Sequence, residues 1–280
     1  MELLYLDLET FSEADLKKVG SYAYAEHPST EILLAIYAID DGDVHCWDCT
    51  DGSRMPDELH RALRQVQRHK AKIVGQNFLM FDRLVIKNVW GMEIDPRDII
   101  DTMVTAFRHS LPGSLAAQCE VLQIDEDLAK DKRGKALIQR FAKPTPKNYK
   151  IRRYDRNTHP EEWKAFIEYG ISDITSMREV YHSQPQWGNT EFENTVLLVD
   201  QRINDRGFYV DTALANAAID AVKQHKIELQ AEANAKWGAG LTGAAFLPTL
   251  RDLAPGHEIL NAQKSTLNDL LADDDLPDEA

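Results

Sequence analysis

The sequence predicts an α/β fold with a mixed sheet, followed by a helical C-terminal segment. Short strand-like apolar runs occur only within the first 101 residues, where they alternate with segments of helical spacing. Beyond that point the pattern is almost wholly helical. Consecutive early strands followed by alternating helix and strand are typical of a sheet with parallel and antiparallel pairs. A chain of 280 residues is long enough to bury a full core.

Five strands are predicted from runs rich in Ile, Leu, Val and Tyr. The first ends at an acidic pair, Asp7 and Glu9. The second and third are joined by Asp41-Gly42, a dipeptide typical of hairpin turns. The predicted strands cover residues 2–7, 31–40, 43–48, 72–75 and 98–101.

Helices are predicted where apolar residues recur every three or four positions, as at Leu59, Leu63 and Val66. A segment with two prolines and many charges, residues 143–158, is predicted to be an exposed loop. The change of character past residue 187 predicts two domains, 1–187 and 188–280. The predicted helices cover residues 56–70, 80–89, 102–109, 114–122, 134–141, 160–181, 191–206, 212–237 and 264–271.

The charge distribution predicts local binding to a phosphate backbone and excludes a protein that coats nucleic acid by bulk attraction. The net charge is −14, yet eleven of the 32 basic residues lie between Lys130 and Arg156, with only two acids among them. Such a concentrated basic stretch can bind phosphates even in an acidic protein. The last fourteen residues carry six acids and no base.

Composition predicts a cytoplasmic protein without membrane contact. The longest apolar run, residues 32–39, is far shorter than the roughly 20 residues of a membrane-spanning helix. No basic segment leads into an apolar one at the N-terminus, so no secretion signal is expected. Three cysteines are too few for a disulfide framework and suit a reducing compartment.

Four carboxylates in hydrophobic surroundings predict a two-ion phosphodiester-cleaving site. Asp7 and Glu9 share one face of a strand because side chains alternate along it. Asp82 lies at the start of a predicted helix. Asp173 follows Tyr169 by four residues, which places Tyr169 and Asp173 on one helix face. Hard oxygen ligands select magnesium or manganese over zinc. Paired ions about 3.5–4 Å apart are usual in phosphoryl transfer.

These residues carry a family resemblance. Asp7-x-Glu9, Asn77-x-x-x-Phe81-Asp82 and Tyr169-x-x-x-Asp173 resemble the three exonuclease motifs of DnaQ-like 3′–5′ exonucleases, in the subgroup whose third motif carries Tyr (DEDDy). The surrounding sequence resembles the exonuclease domain of family A, DNA polymerase I-like polymerases of phages and prophages. The second motif has three residues between Asn and Phe where that family often has two. Further similar segments cover residues 6–12, 15–20, 24–28, 111–115 and 200–207.

The resemblance implies an RNase H-like fold and removal of 3′-terminal nucleotides as monophosphates. Two Mg²⁺ (or Mn²⁺) ions are implied, with Asp7 a ligand of both, Glu9 and Asp173 ligands of one, and Asp82 of the other. Tyr169 would orient the attacking water, since a phenol with a pKa of about 10 is a poor base. The implied role is proofreading for a polymerase domain or subunit, in the cytoplasm of a bacterium or a phage-infected cell. No polymerase active site is expected within these residues.

The substrate expected from this resemblance is DNA with a single-stranded 3′ end, held by stacking and by cations. Thr10 and Phe11 directly follow the acidic pair and are candidates to contact the terminal nucleotide. A core position is the alternative for Phe11. The basic stretch is the candidate for backbone contacts, unless it is only a solvated face. The substrate-binding candidates are Thr10, Phe11, Asn77, Phe78, Lys132, Arg133, Lys135 and Arg140.

Two alternatives remain open at this stage. An RNA-trimming exonuclease similar to ribonuclease D shares these motifs, and digestion of single-stranded DNA against RNA separates the two activities. The other alternative is an inactive module that binds DNA or organises a replication complex. The presence of all four acids disfavours it, and an assay with manganese would decide.

Overall fold

The computed structural model describes residues 2–124, 134–146, 148–238 and 246–272. Contacts divide the chain into two compact units, Met1–Arg206 and Gly207–Ala280. The first holds the sheet and the four acids. The two domains predicted from the sequence, with a boundary after residue 187, stay a prediction.

The described residues of the first unit include five strands: β1 (Leu3–Phe11), β2 (Glu31–Ile39), β3 (His45–Asp48), β4 (Lys72–Gly75) and β5 (Ile99–Asp101). They form one sheet in the order β3-β2-β1-β4-β5. Both β1–β2 and β2–β3 are antiparallel, whereas β1–β4 and β4–β5 are parallel. This mixed sheet, flanked by helices, confirms the predicted α/β fold with a mixed central sheet.

The central strand β1 separates two hydrophobic cores. Its even-numbered residues Leu4, Leu6 and Leu8 belong to one core, together with Leu59 and Val85 of the flanking helices. Its odd-numbered apolar residues, Tyr5 and Phe11, belong to the other core. Side chains alternate along a strand, so Asp7 and Glu9 face the same side as Tyr5 and Phe11.

Helices cover both sides of the sheet. A long helix, α7 (Pro160–Ser183), packs against β1 and β2 on the side of the odd-numbered β1 residues. The helices of the first unit are α1 (Leu16–Glu26), α2 (Asp57–Gln67), α3 (Asp82–Val85), α4 (Thr102–Arg108), α5 (Leu115–Val121), α6 (Gly134–Phe141), α7 (Pro160–Ser183) and α8 (Glu191–Arg206).

The structure differs from the sequence-based expectation near the first acidic pair. Strand β1 continues to Phe11 because its pairing with β2 extends to Phe11 opposite Glu31. Helix α1 was not expected from the sequence. It is interrupted at Gly20, whose φ of 77° and ψ of 170° are not helical, and among its residues only Tyr24 and Ala25 are buried. The apolar periodicity that predicts a helix is therefore weak there.

The predicted helix 80–89 is also divided. It consists of the short α3 followed by a π-helical turn, Ile86–Trp90, which ends at the left-handed Gly91. The expected loop over residues 143–158 contains no helix or strand in its described part, which lacks residue 147.

The second unit is helical, as predicted. Helix α9 (Thr212–Trp237) is capped at its N-terminus by Asp211, whose side chain accepts a hydrogen bond from the Leu214 N–H. The left-handed Gly238 caps its C-terminus. Two short helices follow, α10 (Leu247–Leu253) and α11 (Lys264–Leu271), of which α10 was not expected. Leu250, Ala254 and Ile259 form a small core. No helix among the described parts of the chain has the length and apolar content to cross a membrane.

Candidate active site

The first pair of candidate ligands lies where β1 extends beyond its parallel neighbour. Pairing between β1 and β4 stops at Tyr5, whereas pairing with β2 continues past Asp7 and Glu9. The ladder shifts register between Glu9 and Thr10, a bulge of the kind that often re-aims side chains near functional sites. The acids therefore sit on a strand that is held firmly on only one side at their level.

The second pair is presented by α7, which lies over this face of β1. Tyr169 and Asp173 are separated by one helical turn and project from one side of the helix. Between them Gly170 approaches β2 so closely that a Cβ there would lie 2.8 Å from Cδ1 of Ile36. The missing side chain therefore allows α7 to lie close to the strands that carry the first pair.

Three of the four acids converge. One carboxylate oxygen each from Asp7, Glu9 and Asp173 can be chosen so that all three lie within 4.8 Å of one another. Glu9 is buried, while Asp7 and Asp173 are partly exposed. Residues separated by more than 160 positions in the sequence are thus brought close together.

Asp82 is the first residue of α3 and is 3% exposed. Its Oδ1 atom is buried and has no hydrogen-bond partner among the residues that the structure describes. Asp82 lies near enough to the other acids for its charge to raise the pKa of Glu9 and for the Asp7 charge to raise its own.

The acids destabilise one another's charged forms in the absence of cations. Burial raises the pKa of Asp7 to about 6. Burial also raises the pKa of Glu9, and the charges of Asp7, Asp173 and Asp82 raise it further. The pKa of Asp82 is raised by burial first and by Asp7 second. Buried carboxylates so close together require either protons or cations.

The phenol of Tyr169 belongs to the same cluster. Its hydroxyl is hydrogen-bonded to the carboxylate of Asp173, and it is partly buried. Burial raises its pKa, and the Asp173 charge and hydrogen bond raise it further. The phenol therefore stays protonated at neutral pH and can donate a hydrogen bond, but it cannot serve as a base.

The donor set fits hard divalent cations. Every candidate ligand is a carboxylate oxygen, which is the preference of magnesium and manganese. The buried Oδ1 of Asp82, which has no hydrogen-bond partner in the described part of the chain, is an atom that a cation would satisfy. Of the described residues, those that group as possible metal ligands are Asp7, Glu9 and Asp173.

The loop that leads to Asp82 is held by a residue that the sequence analysis did not select. The carboxylate of Asp101 accepts hydrogen bonds from the backbone N–H groups of Asn77 and Leu79, each at 3.0 Å. It also caps α4 by accepting from Met103 N–H at 3.0 Å. An Asp directly before a predicted helix is a capping signal, but its second role depends on tertiary contacts that the sequence does not show.

The nucleotide-contact candidates near the acids are mostly buried. Thr10 is hydrogen-bonded through Oγ1 to the Tyr24 hydroxyl at 2.9 Å. The Phe11 ring is 5% exposed and lies beneath the guanidinium of Arg153, 4.7 Å from ring centroid to Cζ. Phe78 is fully buried in the core, and Asn77 adopts a left-handed φ of 57°. Their contacts with a nucleotide stay predictions.

The candidate backbone-binding cations are described only in part. Lys132 and Arg133 lie outside the described residues, and so does the side chain of Lys135. Arg140 forms an ion pair with Glu162 at 2.6 Å on the α6–α7 surface. Two arginines of the loop 143–158, which were not selected individually from the sequence, lie beside the end of β1. Arg152 pairs with Glu13, and Arg153 pairs with Glu31, both at 2.8 Å.

Comparison with known proteins links the chain to a phage polymerase. It is 34% identical over 277 residues to the DNA polymerase of Bacillus phage SP02. The match covers 98% of this chain and 40% of that polymerase, so the chain spans well under half the length of this relative. No protein-family model matches the chain.

Solved structures of nucleases overlap the chain distantly. NrnC from Brucella melitensis is 12% identical with a TM-score of 0.44, over 71% of this chain and 81% of that one. The same protein bound to pGG is 11% identical with a TM-score of 0.42, over the same shares of the two chains. Overlaps at this level do not identify a shared function.

Proposed function

We propose that this chain is a 3′–5′ exonuclease that removes terminal nucleotides from single-stranded DNA ends by hydrolysis with two divalent cations. The convergence of Asp7, Glu9 and Asp173 to within 4.8 Å carries the proposal. The buried Oδ1 of Asp82 supports it, since none of the described residues forms a hydrogen bond with that atom. The order of these residues along the chain, which resembles DEDDy exonucleases, adds the direction of cleavage and the substrate class.

The four acids are the proposed metal ligands, and Tyr169 is the proposed water-orienting group. Asp7, Glu9 and Asp173 would hold one ion, with Asp7 shared, and Asp82 would hold the second. Two such ions, when bound, neutralise the charge that develops on the phosphate and activate water for attack. The Tyr169 hydroxyl, fixed on the Asp173 carboxylate, is available to orient the attacking water by a hydrogen bond. Because this phenol stays protonated, it orients rather than deprotonates.

Proofreading for a DNA polymerase is the proposed biological role. Its support is the 34% identity to a phage DNA polymerase that is much longer than this chain. A misincorporated nucleotide frays the 3′ end, and a frayed end is the single-stranded substrate that this site would accept. The polymerase portion, on the same polypeptide or on another, is the proposed partner.

The test is digestion of 5′-labelled single-stranded DNA with magnesium or manganese. We expect a ladder that shortens one nucleotide at a time from the 3′ end, release of nucleoside monophosphates, and no cleavage in chelator. Circular single-stranded DNA of the same composition should remain intact. Cleavage of the circle would contradict an exonuclease, and preferred digestion of a matched RNA would favour the ribonuclease D-like alternative.

A silent binding module is distinguished by the same assay. Purified Asp7→Ala protein serves as the control for contaminating nuclease. If wild-type and Asp7→Ala proteins bind DNA equally and neither cleaves it with manganese, the chain is a binding module and the proposed activity fails.

A further inference from the structure

The first residue of α6, Gly134, lies directly against the ring of Tyr169. A Cβ on Gly134 would lie 2.2 Å from Cε2, 2.5 Å from Cδ2 and 2.8 Å from Cζ of that ring. Real Cβ atoms do not approach other heavy atoms this closely, so a larger residue would force a displacement. We propose that Gly134 is a positioning residue. Because it has no side chain, the Tyr169 ring can lie where its hydroxyl reaches the Asp173 carboxylate. The catalytic consequence rests on the proposed function.

Buried residues one and two turns after Gly134 hold helix α6 against α7. Leu137 and Phe141 share a helix face with Gly134 and are buried. The ring of Phe141 stacks on Phe166, with centroids 5.2 Å apart, and meets Trp163 edge-on at 5.0 Å. The C-terminal end of α6 is therefore held against α7 by a packed aromatic cluster.

The two helices run in opposite directions along this contact. The C-terminal end of α6 meets the start of α7, where Arg140 pairs with Glu162 at 2.6 Å. Its N-terminal end meets Tyr169, farther along α7. A Cβ at position 134 would thus press on the one part of the contact that bears a candidate catalytic group.

The ring of Tyr169 is the part most able to move. It is the end of a side chain with alternative rotamers, whereas the α6 backbone is anchored by the aromatic cluster. Rotation of the ring would separate its hydroxyl from the Asp173 carboxylate. The main consequence of a larger residue at 134 would therefore fall on the position of the phenol, and the fold would be largely retained.

If Gly134 had no role beyond forming the helix, helix propensity would predict that Gly134→Ala does no harm. Alanine forms helices more readily than glycine, and residue 134 is the first residue of α6. If Gly134 served only the helix, Gly134→Ala would leave activity unchanged and stability equal or higher. A loss of activity in a folded, equally stable variant is thus specific to positioning.

The kinetic test is a double-mutant cycle with Gly134→Ala and Tyr169→Ala, using single-stranded DNA and magnesium. We expect Gly134→Ala to lower kcat roughly 10- to 100-fold, with KM nearly unchanged. This is at or below the lower end of the roughly 10²- to 10⁴-fold range for positioned proton-handling groups, because the phenol is displaced and not removed. In the Tyr169→Ala background the ring is gone and the Cβ has space, so the same substitution should add no further loss. Ala136→Ser adds one atom to an exposed position of α6 and is the matched control, expected to behave as wild type.

A second measurement does not depend on cleavage. The ring signals of Tyr169 in protein with ¹³C-labelled tyrosine are assigned by their disappearance in Tyr169→Phe. They should shift in Gly134→Ala and stay unchanged in Ala136→Ser. Unchanged ring signals in Gly134→Ala, or an equal loss of kcat in both Tyr169 backgrounds, would overturn the proposal. If wild-type protein cleaves nothing, the proposed function fails, and the ring signals still decide whether Gly134 places the phenol.

Discussion

Arg83 and Asp205, 122 residues apart, form a bidentate ion pair. The guanidinium donates through Nη2 to Oδ1 at 2.6 Å and through Nη1 to Oδ2 at 3.1 Å. The Tyr22 hydroxyl donates to the same carboxylate at 2.8 Å. Because Arg83 directly follows Asp82, this pair ties α8 and α1 to the helix that presents one of the four acids.

Asp205→Ala should destabilise the protein and leave Arg83 without its carboxylate. The Arg83 side chain is 7% exposed, so water cannot readily replace the lost partner. We expect a loss of about 2 kcal/mol in the free energy of unfolding, the usual range for hydrogen bonds to charged groups, measured by urea denaturation. Asp200→Ala removes an exposed acid from the same helix and should be nearly neutral. Equal denaturation midpoints for the two variants would rule out this contribution.

Asp7→Ala should abolish cleavage while leaving the fold intact. The substitution removes one of the three converging carboxylates, and it also removes charge repulsion from Glu9 and Asp82. The metal-free variant should therefore unfold at the same or a higher temperature than metal-free wild type. Asp173→Ala should behave alike, whereas Asp43→Ala, at an exposed position between β2 and β3, should retain full activity. Magnesium-dependent cleavage by pure Asp7→Ala protein would contradict the proposed site.

Stability of the metal-free protein should fall as pH rises. The folded-state pKa of Asp7 is raised to about 6 and that of Glu9 is also raised, whereas unfolded carboxyls titrate near 4. Between these values the folded state binds more protons than the unfolded state, so its advantage is lost as pH increases through the folded pKa. Divalent ions should reduce this dependence because they replace the protons.

Thermal unfolding from pH 5 to 8, in chelator and in magnesium, measures this effect. Histidines also titrate in this range, so the informative quantity is the difference between wild type and Glu9→Gln. We expect the pH dependence in chelator to be weaker for the variant, and the gain in midpoint from magnesium to be smaller. Parallel curves for the two proteins in chelator would show that Glu9 titrates normally.

The sequence predicted the parts of the site that follow from strand and helix periodicity. Alternation placed Asp7 and Glu9 on one face, and one helical turn placed Tyr169 beside Asp173; both relations hold in the structure. The strand pattern also predicted the mixed sheet. These features depend on local geometry, which a sequence carries directly.

Contacts between distant segments were not predictable in the same way. The double role of Asp101 depends on the loop before Asp82 returning to β5. The close approach of Gly134 to Tyr169 depends on how α6 packs on α7. Helix α1 was not recognised because Gly20 interrupts it and its buried face is small. In each case tertiary packing supplies the information that local pattern lacks.

Arg153→Ala should weaken DNA binding and reduce its salt dependence. The Arg153 guanidinium covers Phe11, two residues after Glu9, and its side chain remains 25% exposed. A phosphate that enters this site could replace Glu31 as its partner. Each phosphate contact contributes about 0.7 to the slope of log affinity against log salt for single strands. We therefore expect KM to rise and the magnitude of that slope to fall by about 0.7.

Two further variants identify the cause of the Arg153→Ala effect. Arg153→Lys keeps the charge but loses the planar group that lies on the Phe11 ring, so it should restore the salt slope without fully restoring KM. Arg97→Ala removes an exposed arginine that also pairs with a carboxylate, Asp95 at 2.7 Å, but lies before β5. It should leave both KM and the slope unchanged. An Arg153→Ala protein with the wild-type slope would show that this arginine packs on Phe11 without binding the nucleic acid.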